Sequence, residues 1–281
     1  MAEAIILDTI TTSNTAGEGH DCPVEVTFRL CNFDNFDTEE TQIKSLKITP
    51  DEKIMPGARV YSNLPAEITD GNELKKAMKM VETVINKTKN LYVIAYDLDV
   101  FFRVMNSNYN RLFADENGQN IDTSGGFELD PKKSFSIKAY AKCLFPPTEV
   151  GTSYAAEAMM MHLLGAEKFK EERRRFDSGQ STRSVYNQAM DSFILRKLTE
   201  KAGDTSFQAI VDRVNNASET MFTFGKHSGK LVADVFKDDF GYCLWCFKNK
   251  ELMESNPGLQ RELARLMIKQ REEIQKPGFR R

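Results

Sequence analysis

The stretch Ala4-Ile5-Ile6-Leu7-Asp8-Thr9-Ile10-Thr11-Thr12-Ser13 decides how this chain is read. Ala4 to Leu7 is a continuous apolar run, the pattern of a strand buried on both faces. Asp8 follows at once, and a hydroxyl-rich run comes after it. An acid at the end of a buried strand is costly unless something pairs with it. Asp before Thr and Ser also caps turns, so a turn cap and a metal-binding carboxylate both remain open at this point.

The neighbouring segments build a sheet around that run. Val24 to Cys31 alternates and is rich in β-formers, and Gln42 to Ile48 alternates again. Residues 49–65 form a loop with three prolines. Asn72 to Asn86 has apolar residues at helical spacing, with Asn72 placed to cap it. Leu91 to Tyr96 reads as a central strand parallel to the first, and Asp97 can cap a helix from Leu98 to about Leu112. Residues 115–131 are polar and Gly-rich. Phe135 to Leu144 is apolar, and helices are expected over Ser153–Leu164, Tyr186–Lys201, about Thr205–Asn215 and about Leu259–Ile274. Strands alternating with helices after leading strands predict a mixed α/β sheet.

With 281 residues, 41% of them hydrophobic, the chain is long enough for one large domain or two smaller ones. A net charge of −3 does not advertise nucleic-acid binding, so any such surface is local. No apolar run is long enough to span a bilayer, and no N-terminal apolar h-region is present. The five cysteines are an odd number and suit a reducing compartment, so a cytoplasmic location is expected. Cys243-Leu-Trp-Cys246 lacks a second Cys or His pair nearby and reads as two cysteines of a buried helix. Arg173, Arg174, Arg175 and Arg183 make residues 167–184 locally basic. A solvated helix face and a phosphate-contacting face both fit that stretch.

Taken together the segments resemble a family. Leu7-Asp8-Thr9-Ile10-Thr11-Thr12-Ser13 is similar to the first motif of the DEDDh 3′–5′ exonucleases, D-x-E-T-T-G. Residues 47–68 are similar to the loop after their third strand. Val93-Ile94-Ala95-Tyr96-Asp97-Leu98-Asp99-Val100-Phe101 resembles their V-A-H-N-x-x-F-D, and Tyr186-Asn187-Gln188-Ala189-Met190-Asp191 resembles H-R-A-L-x-D. Met221 to Lys230 (MFTFGKHSGK), with Gly241-Tyr242 and Trp245 behind it, is similar to the tail of the exodeoxyribonuclease X family of bacteria and their viruses. The resemblance implies an RNase H-like mixed sheet flanked by helices over residues 1–203, a linker over 204–220 and a small C-terminal α+β domain over 221–281.

It also implies a site. These exonucleases cleave a terminal phosphodiester with two divalent metals held by carboxylates, with a His as general base. Asp8 matches the first Asp and Asp191 the last, and these are the expected remnant metal ligands. Ile10 stands at the Glu position and Tyr186 at the His position. A gap-free placement puts the second-motif Asp on Phe101, and a shifted register would let Asp99 stand in, with Asp97 one helical turn before Phe101. Ile10 offers no oxygen, and a tyrosine with a pKa near ~10 is a poor base at neutral pH. The expectation is therefore impaired catalysis, with no strongly bound cofactor and Mg²⁺ only if the chain is active. Tyr186 could satisfy Asp8 or Asp191 with its hydroxyl. Lys226 and Lys230, with Arg173 and Arg174, are the candidate nucleic-acid contacts. Phe222, Phe224, Tyr242 and Trp245 read as a mini-core, with a base-stacking platform as the alternative. Single-stranded DNA or RNA ends and a protein are the expected partners, and no membrane. An active Mg²⁺-dependent exonuclease and a purely structural assembly subunit are the alternatives.

Overall fold

The computed structural model describes residues 2–13, 21–38, 42–62, 64–113, 127, 129–130, 132–145, 154–177, 183–216, 222, 224–227, 230–254 and 256–275. Its strands are β1 (Ala4–Thr11), β2 (Pro23–Cys31), β3 (Ile43–Thr49), β4 (Asn72–Glu73), β5 (Tyr92–Ala95) and β6 (Ser134–Ser136). They lie in one sheet in the order β4-β3-β2-β1-β5-β6. β2 is antiparallel to both β1 and β3, whereas β5 is parallel to β1 and to β6. This is the mixed α/β sheet expected of the sequence, with an antiparallel meander followed by parallel crossovers. β1 is flanked on both sides, so Ala4, Ile5, Ile6 and Leu7 are all fully buried.

The first strand runs further than its apolar residues. Asp8, Thr9 and Ile10 keep pairing with Thr27, Val26 and Glu25 of β2, and the register slips only between Ile10 and Thr11. β5 stops at Ala95, opposite Leu7. Beyond that point β1 has a neighbour on one side only. The sheet therefore opens a crevice at the carboxyl ends of its parallel pair, where α/β folds place ligands.

Successive residues of β1 face opposite layers. On one side, α2 (Leu74–Lys87) and α3 (Leu98–Phe113) cover Ile5 and Leu7. Met78, Val81 and Ile85 of α2 and Phe101, Phe102 and Met105 of α3 make up most of that layer. The expected cap at Asn72 does not form. Asn72 and Glu73 pair with Ile48 and Thr49 as a short strand, and Asn72 Nδ2 donates to the Lys47 carbonyl at 3.2 Å. Gly71 lets this strand approach, since a Cβ there would lie 2.6 Å from backbone atoms of Ile48 and Thr49.

The remaining helices of this layer structure are α1 (Pro56–Ser62), in the proline-bearing loop, α4 (Ile137–Leu144), α5 (Ala156–Leu164), α6 (Ala166–Asp177) and α7 (Arg183–Ala202). α7 crosses the face that carries Ala4, Ile6 and Asp8. Its Gln188 is completely buried, and Nε2 donates to the Ile6 carbonyl (3.1 Å) and the Thr27 hydroxyl (3.2 Å). One turn on, Ser192 receives Arg29 Nη1 at 2.7 Å and donates back to the Gln188 carbonyl. α7 ends at Gly203, whose positive φ of 70° favours glycine.

The chain divides into two compact units, Met1–Leu144 with Tyr154–Val211, and Phe145–Ser153 with Asp212–Arg281. α8 (Phe207–Asn216) begins in the first unit, where Phe207 packs on Phe33, Phe36 and Tyr92. The stretch expected to open a linker is therefore partly anchored by an aromatic cluster. The second unit contains a 3₁₀ turn (Gly225–His227), α9 (Val232–Asp238), α10 (Phe240–Lys248), α11 (Lys250–Glu254) and α12 (Pro257–Gln275). Its strand content among the described residues is a single bridge at Leu231. Phe222, Val232, Val235, Cys243, Cys246 and Leu263 centre its core. No described helix is long and apolar enough to cross a membrane.

Gln188→Ala removes the buried hydrogen bonds that fasten α7 to the sheet and leaves a cavity. The unfolding free energy should fall by about 1–3 kcal/mol. Urea denaturation should show a lower midpoint with an unchanged slope.

Candidate functional site

The crevice at the end of β5 is a cavity of about 400 Å³ lined by Asp8, Tyr61, Asp97, Lys138, Asn187 and Asp191, among others. β1 supplies Asp8. α7 supplies Asn187 and Asp191, which lie one turn apart on the same helix face. Asp8 and Asp191 are thus neighbours in one cleft, as the motif spacing implies.

Asn187 Nδ2 donates to Asp8 Oδ2 at 3.0 Å. Burial pushes the Asp8 carboxyl up to about 6, against the opposing effects of the Asn187 bond, the Thr9 backbone N–H and the Arg183 charge. Asp191 is 1% exposed, and its Oδ2 has no hydrogen-bond partner among the described residues. Burial first, then the charge of Asp8, holds its carboxyl well above the usual carboxylate range. Two desolvated carboxyls so close disfavour being charged together, and the pair retains a proton where free carboxyls would be ionised.

The structure places the two candidates for the second-motif acid differently. Asp99 lies on the exposed side of α3 and does not line the cavity. Asp97 does line it, and Lys138 Nζ lies 2.6 Å from its Oδ2. Phe101, where a gap-free placement puts the Asp, contributes to the cavity wall and is buried in the main core. Lys138 carried no sequence signal. β6 brings it in by pairing with β5, and the Lys138 N–H and the Ser136 hydroxyl both donate to the Tyr96 carbonyl.

Ile10 is on the same sheet face as Asp8 but not in the cavity. It is buried with Val24, Ile54 and Ala58, so the position that resembles a Glu ligand is part of an apolar cluster. Tyr186 does not line the cavity either. The donor to Asp8 is Asn187, while the Tyr186 ring lies 5.4 Å from the Arg183 guanidinium. Burial raises the Tyr186 hydroxyl further above neutrality, which is the wrong direction for a base.

Arg183, fully buried, was read only as part of a basic stretch. Its Nη2 donates to Tyr61 Oη (2.7 Å) and to Glu157 Oε1 (2.6 Å), and its guanidinium lies 4.3 Å from the Tyr61 ring centroid. Arg173 also pairs with Glu157, so one carboxylate is shared by two arginines. Arg174 is exposed on α6, and the Arg175 side chain lies outside the described residues.

In the second unit, Lys226 Nζ lies 2.7 Å from Asp239 Oδ2, and His227 Nε2 lies 3.0 Å from the same oxygen. Lys226 first, then His227 and the Tyr242 N–H, hold Asp239 well below the usual carboxylate range. Lys230 is exposed. Cys243 and Cys246 are buried free thiols, with burial pushing Cys243 up to about 11. Phe222 is core, whereas Trp245 is outside it, at 56% exposure. Among the described residues no three His, Cys, Asp or Glu side chains gather where they could hold a metal ion.

The sheet order and the neighbouring acids at the end of β1 define a mixed α/β fold with an acid-lined cleft at the carboxyl end of its parallel pair. Residues 222–251 match the family model of the exodeoxyribonuclease X-like C-terminal segment. No curated protein matches the chain. Similar solved structures include exonuclease X in complex with 5′ overhanging duplex DNA, at 16% identity and a TM-score of 0.44, covering 75% of this chain and 99% of that one. The zinc-bound E. coli ExoI–ssDNA complex matches at 11% identity and 0.45, covering 71% of this chain and 40% of that one. A 3′-exonuclease described in 3′-end-specific recognition of a histone mRNA stem-loop matches at 11% identity and 0.46, covering 73% and 84%.

The raised carboxyls set a pH dependence. A native pKa above the unfolded value means that the folded state binds more protons, so this pair lowers stability as pH rises from about 4 through 6 and above. Asp191→Asn removes the conflict. It should raise the unfolding free energy at pH 7–8 by roughly 1–2 kcal/mol, and the gain should vanish as the pH approaches about 4. Thermal melts of both proteins across that range measure it.

Proposed function

We propose that this chain is a catalytically degenerate relative of the 3′–5′ exonucleases that binds nucleic-acid ends without degrading them. One observation carries this reading: two of the three acids that line the cavity are engaged by other side chains of the protein. Asp97 faces Lys138 at 2.6 Å, and Asp8 accepts from Asn187 and is next to Asp191, whose carboxyl is held well above the usual carboxylate range by burial and the charge of Asp8. A two-ion centre needs bridging carboxylates around both metals. Ile10 contributes none, Asp97 is neutralised, and Asp8 with Asp191 form too small a donor set for two hard cations.

Lys138 gives the cavity a cation of its own. A terminal phosphate entering the cleft would meet an ammonium group where the related enzymes present metal ions. The match of residues 222–251 to an exonuclease tail family supports nucleic acid as the ligand class. Lys230, and Arg174 on α6, are exposed and are the candidates for sequence-independent contacts. Lys226 and Arg173 are already engaged by Asp239 and Glu157.

The test is a nuclease assay with Mg²⁺ and with Mn²⁺ on single-stranded DNA and RNA, run beside a binding assay. Binding that persists in EDTA, with intact substrate, is expected. End-to-end digestion that disappears in Asp8→Ala would overturn the proposal, as would tight two-site Mg²⁺ binding by calorimetry.

The lysines can be separated by salt. Because Lys226 is held by Asp239, Lys230→Ala should flatten the log–log salt dependence of binding by roughly one unit. Adding Lys226→Ala should change the slope much less. Titrations at several salt concentrations give both values.

A further inference from the structure

The sole tryptophan of the chain, Trp245, is 56% exposed on α10. A large aromatic left in water on a small unit calls for an explanation. Its inner side leans on Tyr242, with ring centroids 5.8 Å apart and planes 32° apart. Tyr242 is itself fixed from below. Phe222 meets it at 5.3 Å and His227 at 4.8 Å, both edge to face. Its hydroxyl lies against Gly225, where positive φ and the absence of a Cβ are both required, since a Cβ there would collide with the phenol oxygen.

Residue 241, one helical turn before Trp245 and on the same face, is glycine, with no side chain to lie across the ring. The surroundings are cationic. Lys226 Nζ lies 5.3 Å from the centre of the Tyr242 ring. Lys248, one turn after Trp245, and Lys230 are exposed and make no ion pair among the described residues. The nearby carboxylate, Asp239, is occupied by Lys226 and His227.

We infer that Trp245, backed by Tyr242 and followed one helical turn on by Lys248, is a stacking platform for an unpaired base of single-stranded nucleic acid. Every base has a π-face to offer, and Lys248 meets the backbone phosphates beside it. A rigid, pre-stacked aromatic pair loses little freedom when a base lands on it. The inference rests on the end-binding reading above and adds a second contact to it, in the C-terminal unit.

Because Trp245 is the sole tryptophan, its emission reports on this platform alone. The full chain is titrated with an oligothymidylate and an oligouridylate, each of about a dozen nucleotides, and with a blunt duplex. Anisotropy of the labelled oligonucleotide is followed in parallel. Saturable quenching with the same midpoint as the anisotropy is expected for the single strands, with DNA and RNA separated by their midpoints, and little quenching for the duplex. Trp245→Ala should bind about tenfold or more weakly, and Trp245→Phe should stay close to the parent, with circular dichroism confirming that both fold. If anisotropy reports binding while emission is unchanged, or if Trp245→Ala binds as tightly as the parent, the platform is overturned and the end-binding reading stands. If anisotropy reports no binding of any probe, both fall.

Discussion

The amide of Gln188 joins α7 to the two central strands, and the positions of the polar groups that α7 brings to the cleft follow from it. Its donor group reaches both the Ile6 carbonyl and the Thr27 hydroxyl, so the helix can neither slide nor rotate without losing buried hydrogen bonds. The residue before it, Asn187, then meets Asp8, and the residue one turn after Asn187 is Asp191. β1 outruns β5 at the same place. The cleft is thus a product of two fixed lengths and one fixed helix register.

Charge in the first unit is settled internally. Lys138 meets Asp97, and two arginines share Glu157, one of them buried and stacked on Tyr61. A buried guanidinium without such partners would be prohibitively costly. Asp8 and Asp191, side by side and buried, are in conflict, and both carboxyls are held above the usual carboxylate range. An active two-metal site has the opposite arrangement, with several ionised acids waiting for cations.

Much of this was legible in the residues. Continuous apolar runs gave β1 and β5, alternation gave β2 and β3, and helical periodicity gave α2, α3 and α7, because each signal is local. The acids at the two ends of the motif set were legible for the same reason, since Asp8 ends a buried run and Asp191 sits on a helix of evident period. Asp97 and Asp99 could not be separated, because both precede or open the same helix and only its rotation decides which one faces the cleft. Lys138 was invisible, since it arrives through pairing between strands some 40 residues apart in sequence. The buried role of Arg183 was hidden inside a charge-dense stretch, where local composition looks solvated. Ile10 could be read as a missing ligand, but not as a packing residue.

Val24, Ile54 and Ala58 close around Ile10, and Leu64 and Ile68 pack against them. An acid placed at this one position would be inserted into a hydrocarbon pocket, where burying its charge is costly. Ile10 and its neighbours therefore stand or fall as a set: a polar side chain becomes tolerable here only if several of them change with it.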